Sequence, residues 1–318
     1  MSLTLALLSI VFYIAWNIGA NGTANAMGVV VGSGILSFRQ AVLTIAIFTI
    51  LGAYLRGEKV METVGRGIVP VMTPEMVAII FISAGIWVTI ATLRGLPVSV
   101  TQTIIGNVVG VALALGLQVK WDVFGKIVLT WVISPILAGG IAFLLFIVYS
   151  RTFRRIKSLR KLEILYKWVA IMGSSYMAFN FGTNEVANTV GPLVGAGIMG
   201  PREAGIFGAI GVAIGTLTFS YAVMYTVGKK ITALGPVSAF SAQFGSAISV
   251  SLANYFGIPV SSGQAIVGGV VGAGLAAGEE VRRDVISKVV LGWIVTPLTG
   301  IILSYGTTKL FLTVGMIG

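Results

Sequence analysis

Two short segments of the chain are rich in asparagine and glycine and nearly repeat each other. The first runs Asn17-Ile-Gly-Ala-Asn-Gly-Thr-Ala-Asn-Ala-Met-Gly28, and the second runs Asn180-Phe-Gly-Thr-Asn-Glu-Val-Ala-Asn-Thr-Val-Gly191. Each copy holds two asparagines four residues apart, which places them on one helix face: Asn21 with Asn25, and Asn184 with Asn188. Amide oxygens coordinate cations, and amide NH2 groups bind the oxygens of an anion. We therefore expect substrate or ion contact from these four side chains, with interhelical hydrogen bonding as the alternative.

Glu185 is the acidic residue that falls well inside a hydrophobic stretch. A lone carboxylate in a membrane costs several kcal/mol, so it is expected to pair with a bound cation, to carry a proton, or to reach an interface. The sequence thus predicts a coupling-ion site, with Na+ as a candidate metal, at Glu185 beside Asn21 and Asn184. Its counterpart in the first copy is Gly22, so the site cannot be symmetric in charge.

A second repeated segment carries hydroxyl and amide groups just after a proline. Gly95-Leu-Pro-Val-Ser-Val-Thr-Gln102 returns as Gly257-Ile-Pro-Val-Ser-Ser-Gly-Gln264. Hydroxyls and amides replace the hydration shell of an oxyanion without adding fixed charge, whereas Ser and Thr in membrane helices otherwise bond to their own helix. The candidate substrate-binding residues of this segment are Ser99, Thr101, Gln102, Ser261, Ser262 and Gln264.

Composition identifies the class of protein that must position these residues. Of 318 residues, 56% are hydrophobic and 10% are charged, against about 25% charged in an average globular protein. The chain has no cysteine and no histidine, which excludes disulfides, Cys/His zinc sites and histidine acid–base chemistry. Since no nucleophile–base set is visible, we expect no enzyme and no cofactor. The net charge of +11 is not arranged as a nucleic-acid-binding stripe. The sequence therefore predicts an integral membrane protein.

The repeats show how that membrane protein is built. Three blocks recur at an offset of 162 or 163 residues, the third being Trp131 and Pro135 with Trp293 and Pro297. Uncharged runs give about five spans per half, so the second half must enter the membrane the other way up. We predict an all-α fold of about ten transmembrane helices in two inverted repeats, 1–150 and 164–318, with broken helices at their interface. Irregular backbone at membrane depth is tolerated where it lines a cavity or is buried in protein.

Glycines at four-residue spacing recur in both halves and are typical of close helix packing. The pairs are Gly28/Gly32, Gly106/Gly110, Gly191/Gly195 and Gly268/Gly272.

Charge sets the expected orientation. The linker 151–163 is strongly basic, and the positive-inside rule makes it cytoplasmic. Both termini then lie outside, in a multi-pass protein of the cell (cytoplasmic) membrane. A headgroup-binding role for the linker is the alternative to a plain solvated loop.

At these motifs the chain resembles the inorganic phosphate transporter (PiT) family, whose duplicated signature reads roughly Gly-Ala-Asn-Asp-Val-Ala-Asn-Ala. Here it stands as Gly19-Ala-Asn-Gly-Thr-Ala-Asn-Ala26 and Gly182-Thr-Asn-Glu-Val-Ala-Asn-Thr189. The resemblance covers both halves and implies import of an inorganic oxyanion coupled to Na+ or H+. It implies site roles for the four asparagines and for Glu185, with the Ser, Thr and Gln residues of the second segment beside them.

The signature Asp is replaced by Gly22 in one copy and by Glu185 in the other. Phosphate is the default substrate of the family and is the one expected here. Sulfate is the alternative, because members that carry sulfate look similar in lacking the first Asp. An ion channel needs a continuous polar path with rings of charges or carbonyls, and two inverted halves with one internal acid fit alternating access better. The expected partners are an inorganic oxyanion and the bilayer, and a homodimer is left open.

Overall fold

The computed structural model of the chain describes residues 3–93, 98–232, 235–280 and 283–317, and all regular elements within them are helical. The first half contains α1 Leu3–Gly22, α2 Ala24–Gly32, α3 Phe38–Arg56, α4 Glu58–Glu62, α5 Pro74–Leu93, α6 Val100–Ala114 and α7 Trp121–Phe153. The second half contains α8 Leu159–Phe181, α9 Ala187–Gly195, α10 Pro201–Phe219, α11 Tyr221–Thr232, α12 Pro236–Tyr255, α13 Ser262–Ala277 and α14 Arg283–Thr313. Gly95 and Pro97 of the second repeated segment lie outside the described residues.

Several helices are long and apolar enough to cross a bilayer, as predicted. Within the described residues five segments meet both criteria: Thr4–Gly32, Phe38–Arg56, Pro74–Ala91, Trp121–Phe153 and Val289–Thr313. Two further apolar helices, α6 and α13, have 15 and 16 residues. At 1.5 Å per residue they are about 22–24 Å long, which is shorter than the hydrocarbon core of roughly 30 Å. Each is therefore too short to cross the hydrocarbon core by itself.

The first repeated motif interrupts its helix in both halves, but the interruption is smaller than the predicted helix break. In the first half the interruption is Thr23, which keeps right-handed backbone angles (φ −67°, ψ −14°) between α1 and α2. In the second half a π-helical turn, Gly182–Val186, joins α8 to α9. A π-turn is a local bulge in a continuing helix, so neither break frees a helix N-terminus. At this motif the predicted broken helices are therefore nearly continuous helices, each with one local irregularity.

Helix N-termini are found instead at the second motif. Ser99 and Ser261 are extended residues (φ −90°, ψ 115° and φ −96°, ψ 115°) that cap α6 and α13. The hydroxyl of Ser99 accepts a hydrogen bond from the backbone N–H of Gln102, and the hydroxyl of Ser261 accepts one from the backbone N–H of Gln264, each at 3.3 Å. Two matching caps thus fix the starts of two short helices inside the protein.

Glycines bring the helices together, as their spacing predicts. A Cβ placed on Gly268 or Gly272 of α13 would collide with the backbone of Pro135 or Gly139 on α7. In the same way, Gly106 and Gly110 of α6 meet the backbone of α14, at Pro297 and Ile301. Without side chains between them the paired helices approach to backbone contact. The two short helices are therefore each fixed against one long, proline-containing helix.

The core consists of two main groups of buried apolar side chains. One group includes Ile14, Ile80 and Val186, and the other includes Met27 and Val260. Val186 directly follows Glu185, and Val260 directly precedes the cap of α13. The repeated polar motifs therefore lie where the two groups meet.

Candidate functional site

The carboxylate of Glu185 is the centre of the polar site. The side chain is 7% exposed and lies on the π-helical turn between α8 and α9. Its Oε2 accepts a hydrogen bond from the Thr101 hydroxyl at 2.7 Å. Its Oε1 accepts from the Ser262 hydroxyl at 2.7 Å and from the Ser262 backbone N–H at 3.1 Å. Both short helices thus present their first residues to one buried acid.

The N-terminus of α13 contributes electrostatically to this arrangement. The Ser262 amide is one of the N–H groups that an α-helix leaves without an internal partner, and it points at the carboxylate. A helix N-terminus favours negative charge. A charged carboxylate is therefore supported by two hydroxyl groups and a helix end, although no Lys or Arg contacts it among the described residues.

Asn184 ties the second repeat motif to the loop before α13. Its Nδ2 donates to the Val260 carbonyl at 2.6 Å, while its Oδ1 accepts from the Val260 amide at 3.1 Å. The two bonds satisfy the whole polar backbone of Val260. We refer to this pair of bonds as the Asn184 clamp.

Asn188 lies one helical turn after Asn184 and connects it to α6. Its Nδ2 donates to Thr101 Oγ1 at 3.0 Å and to Asn184 Oδ1 at 3.4 Å, which confirms that the two asparagines share a helix face. Its Oδ1 is buried and accepts no hydrogen bond. An unpaired buried acceptor is costly in a protein interior, so this oxygen has the capacity for one further polar partner.

A cavity of about 410 Å³ adjoins Glu185 on the side of the first repeat motif. The predicted site residues that line it are Asn21, Asn25, Ser99, Ser261, Ser262 and Glu185. Among the described residues, the polar groups of its lining are amides, hydroxyls and one carboxylate, with apolar side chains between them and no lysine or arginine. Neutral donors of this kind bind an anion without the fixed charge that would trap it.

The other predicted residues have different positions. Asn184, Asn188 and Thr101 are at most 1% exposed and lie behind Glu185, where they hold its carboxylate and the α13 loop. Gln102 and Gln264 line a separate apolar cavity between α7, α13 and α14. Each follows its capping serine by three residues, which carries its side chain away from the first cavity.

Some cavity residues were not singled out from the sequence. Asn17, Val88, Phe181 and Val223 also line the cavity. The recurrence of Asn17 as Asn180 was a usable signal. Val88 and Val223 reach the cavity from α5 and α11, and nothing in their local sequence distinguishes them from other apolar helix residues.

One difference between the two halves of the site concerns the clamp. Asn21 occupies in the first motif the place of Asn184 in the second, and Val98 corresponds to Val260. The Nδ2 of Asn21, however, donates to the carbonyl and side-chain oxygens of Asn17 on its own helix, at 3.3 and 3.1 Å. Among the described contacts, Asn21 makes no bond to Val98, and both residues line the cavity. The clamp is thus formed on one side and open on the other.

Comparison with known proteins places this arrangement in context. The family model described as the phosphate transporter family matches residues 18–304. A Pyrococcus furiosus protein named as a phosphate permease is 32% identical, with 92% of each chain covered. An Arabidopsis thaliana protein named inorganic phosphate transporter 2-1, chloroplastic, is 30% identical over 94% of this chain and 70% of its own length. A solved structure of a sodium-dependent phosphate transporter superposes with a TM-score of 0.90 at 28% identity, covering 99% of this chain and 100% of that one.

Proposed function

This chain belongs to the phosphate transporter family, whose members are membrane transporters and not enzymes, and from that premise we propose that it imports inorganic phosphate together with Na+ by alternating access. The observation that carries the proposal is the buried Glu185 carboxylate, which the first residues of α6 and α13 hold at the edge of a cavity lined by amides, hydroxyls and apolar side chains. The carboxylate supplies a site for the cation, and the cavity supplies a site for the anion.

The cavity has the donors that an oxyanion requires. Ser99, Ser261 and Ser262 stand at the N-termini of two helices, and the amides of Asn21 and Asn25 face the same space. Helix N-termini and neutral donors together form an anion site. The volume of about 410 Å³ exceeds what one small oxyanion fills, since a water molecule takes about 30 Å³ in the liquid. Phosphate therefore binds with part of its hydration shell retained.

Sodium is the coupling ion that the donor set fits best. The hydroxyls of Thr101 and Ser262 contact Glu185. Asn188, whose Nδ2 donates to Thr101, adds a buried Oδ1 without a hydrogen-bond partner. Hard cations take oxygen ligands, and a hydroxyl that turns its proton away from the carboxylate offers a lone pair to the ion. The relative solved as a sodium-dependent phosphate transporter supports the same choice. Each Na+ carried inward offsets about 2.3 kcal/mol per 100 mV of the cost of moving a negative charge.

Two inverted repeats, 1–150 and 164–318, account for the paired contacts. Gly106 of α6 meets Pro297 of α14, and its counterpart Gly268 of α13 meets Pro135, the counterpart of Pro297. Exchange of equivalent partners is what a pseudo-twofold axis between two copies produces. We place the basic linker 151–163 in the cytoplasm and both termini outside the cell membrane, by the positive-inside rule.

The clamp asymmetry describes one state of the transport cycle. The Asn184 clamp closes the α13 loop over Glu185, whereas the equivalent bonds from Asn21 to Val98 are absent and the cavity opens there. In the opposite state the two halves exchange roles. Asn21 then clamps Val98, and Asn184 releases Val260.

Replacing Asn184 with alanine is expected to shift the equilibrium between the present state and the opposite state. In the present state the backbone amide and carbonyl of Val260 lose their partners, whereas in the opposite state Asn184 does not bond to them. An unpaired buried group costs about 1–3 kcal/mol, so the population of the present state falls about tenfold. The chain has no native cysteine, so Val223→Cys in the cavity lining reports access by its rate of maleimide labelling. We expect Asn184→Ala to slow that labelling.

Asn21→Ala is the matched control, because Asn21 bonds only to its own helix in this state. It should leave the labelling rate at Val223→Cys unchanged or raise it. Equal slowing by both substitutions would contradict the exchange of clamps.

Transport itself is tested with purified protein in proteoliposomes. We expect saturable uptake of labelled phosphate that an inward Na+ gradient stimulates, that excess unlabelled phosphate abolishes, and that sulfate inhibits less strongly. A proton gradient alone should give only background uptake. No phosphate uptake under Na+, proton or combined gradients would overturn the proposed function, and stronger inhibition by sulfate would reassign the substrate.

A further inference from the structure

A second and larger cavity, the α7–α14 groove, lies away from Glu185. It has a volume of about 890 Å³ and runs between α7, α13 and α14. Apolar side chains at helical spacing form its walls, among them Val128, Val132 and Ile136 on α7 and Val290, Ile294 and Leu298 on α14. None of the lining residues that the structure describes is charged. Its contents must therefore be hydrophobic.

Glycines give the groove its depth. Gly268 and Gly272 of α13 press against the α7 backbone at Pro135 and Gly139, so no side chain fills the floor between these helices. The next residue, Gly140, is different: a Cβ there would meet no atom within 4 Å. Gly140 therefore faces the open space of the groove.

The groove opens toward lipid. Ile136 is 70% exposed and Leu298 is 52% exposed, and they belong to the two longest helices, both of which have membrane-spanning segments by length and hydropathy. Exposed side chains of this kind continue the apolar surface that a membrane protein presents to hydrocarbon. The groove is thus a depression in the lipid-facing surface and is continuous with it.

One end of the groove leads to the basic membrane surface. α7 and α13 run in the same direction, because Gly268 contacts Pro135 and Gly272 contacts Gly139 further along both helices. Beyond Phe143, the last groove residue on α7, the helix continues to Arg151, about 12 Å further on, and is followed at once by Arg154. Both arginines belong to the exposed basic linker.

Acidic residues mark the other side of the same end. Glu279 and Glu280 follow α13 and are exposed. Basic juxtamembrane residues attract anionic lipids, so a negatively charged headgroup is attracted to the α7 side of this end.

From these observations we propose that the α7–α14 groove binds one acyl chain of an anionic phospholipid, whose headgroup contacts Arg151 and Arg154. The chain lies between α7, α13 and α14 and passes the side chains of Gln102 and Gln264, two amides that line the groove. Both glutamines are 1% exposed, so the groove presents mainly its apolar side chains to the acyl chain. The lipid would be a structural ligand, and its binding does not depend on the transport proposal.

The test uses native mass spectrometry of the full-length protein after reconstitution in phosphatidylglycerol, in phosphatidylcholine with the same acyl chains, or in an equal mixture. We expect one retained lipid per chain, with phosphatidylglycerol enriched in the mixture. Gly140→Phe fills the groove and should abolish the retained lipid. Gly306→Phe is the matched control, because a Cβ at Gly306 on α14 also meets no atom and Gly306 does not line the groove; it should keep the lipid.

The headgroup contact is tested separately. Arg151→Gln and Arg154→Gln should each retain a lipid but lower the enrichment of phosphatidylglycerol about fivefold, as expected for one basic residue near an anionic surface. Glu280→Gln should not lower it.

The proposal would be overturned if the unaltered protein retained no lipid, or if Gly140→Phe and Gly306→Phe retained lipid equally. Unchanged headgroup preference in both arginine variants would also overturn it. So would a protein dimer, without bound lipid, that Gly140→Phe dissociates. A thermal melt of each variant in detergent separates loss of lipid from loss of fold. If Gly140→Phe does not fold, Gly140→Leu is the smaller filling substitution and must give the same loss of lipid.

Discussion

Na+-driven phosphate uptake is expected to fall about 100-fold in Glu185→Gln, with folding retained. The carboxylate accepts hydrogen bonds from two hydroxyls and one backbone amide while it supplies the negative charge for the cation. Glutamine keeps the shape: its amide oxygen can take the position of Oε1 beside Ser262, and its NH2 group can donate to Thr101 Oγ1. The charge is lost, and the Thr101 hydroxyl no longer has the acceptor that Oε2 provides. An interaction with a charged group is worth up to about 3 kcal/mol, which corresponds to about two powers of ten in rate or affinity.

Initial rates of labelled phosphate uptake into proteoliposomes, with and without a Na+ gradient, measure this effect. Glu280→Gln removes an exposed acid far from the cavity in sequence and serves as the charge-matched control. Its uptake should equal that of the unaltered protein. Full Na+ stimulation in Glu185→Gln would remove Glu185 from the coupling mechanism.

Gly268→Val is expected to lower stability more than any other single change discussed here. A Cβ at Gly268 would overlap the Pro135 carbonyl and its neighbouring backbone atoms, and neither helix can withdraw without separating α13 from α7. Overpacking of this kind costs about 3 kcal/mol or more, and a loss of that size lowers Tm by roughly 10 °C. The cap at Ser261 moves with α13, so phosphate uptake should fall as well.

A thermal melt in detergent, followed by size-exclusion chromatography, checks this result. Gly140→Val is the matched control on the facing helix, because its Cβ enters open space. It should melt within a few degrees of the unaltered protein. Equal melting temperatures for Gly268→Val and the unaltered protein would show that the α7–α13 contact is looser than described.

Much of the site could be predicted from the sequence because its motifs occur in both halves of the chain. The recurrence of asparagine, serine and glycine at a fixed offset identified Asn21, Asn25, Ser261 and Ser262, and the structure places all four around one cavity. Composition was sufficient to predict an integral membrane protein, and the uncharged runs with the repeats predicted its helical spans. Glu185 stood out because a carboxylate in an apolar stretch needs a physical reason to be there.

The remaining features depend on geometry that spacing does not encode. A π-turn keeps the second motif helical, so the free helix N-termini lie at Ser99 and Ser261 and not at the asparagines. Gln102 and Gln264 repeat as faithfully as the serines, yet three residues of helix rotate them toward a different cavity. Nor could sequence show that Asn184 is clamped while Asn21 is not, because the two motifs are near copies and differ in conformation more than in composition.

Phosphate binding measured by isothermal titration calorimetry, on detergent-purified protein at zero and at saturating Na+, tests the central claim most directly. Coupling between two bound species is reciprocal, so if Na+ binds at Glu185 beside the phosphate cavity, saturating Na+ should tighten the Kd for phosphate at least tenfold, and phosphate should tighten Na+ binding by the same factor. Glu185→Gln should bind phosphate with an affinity that Na+ does not change. An unaltered protein whose phosphate affinity is the same with and without Na+ would contradict the account.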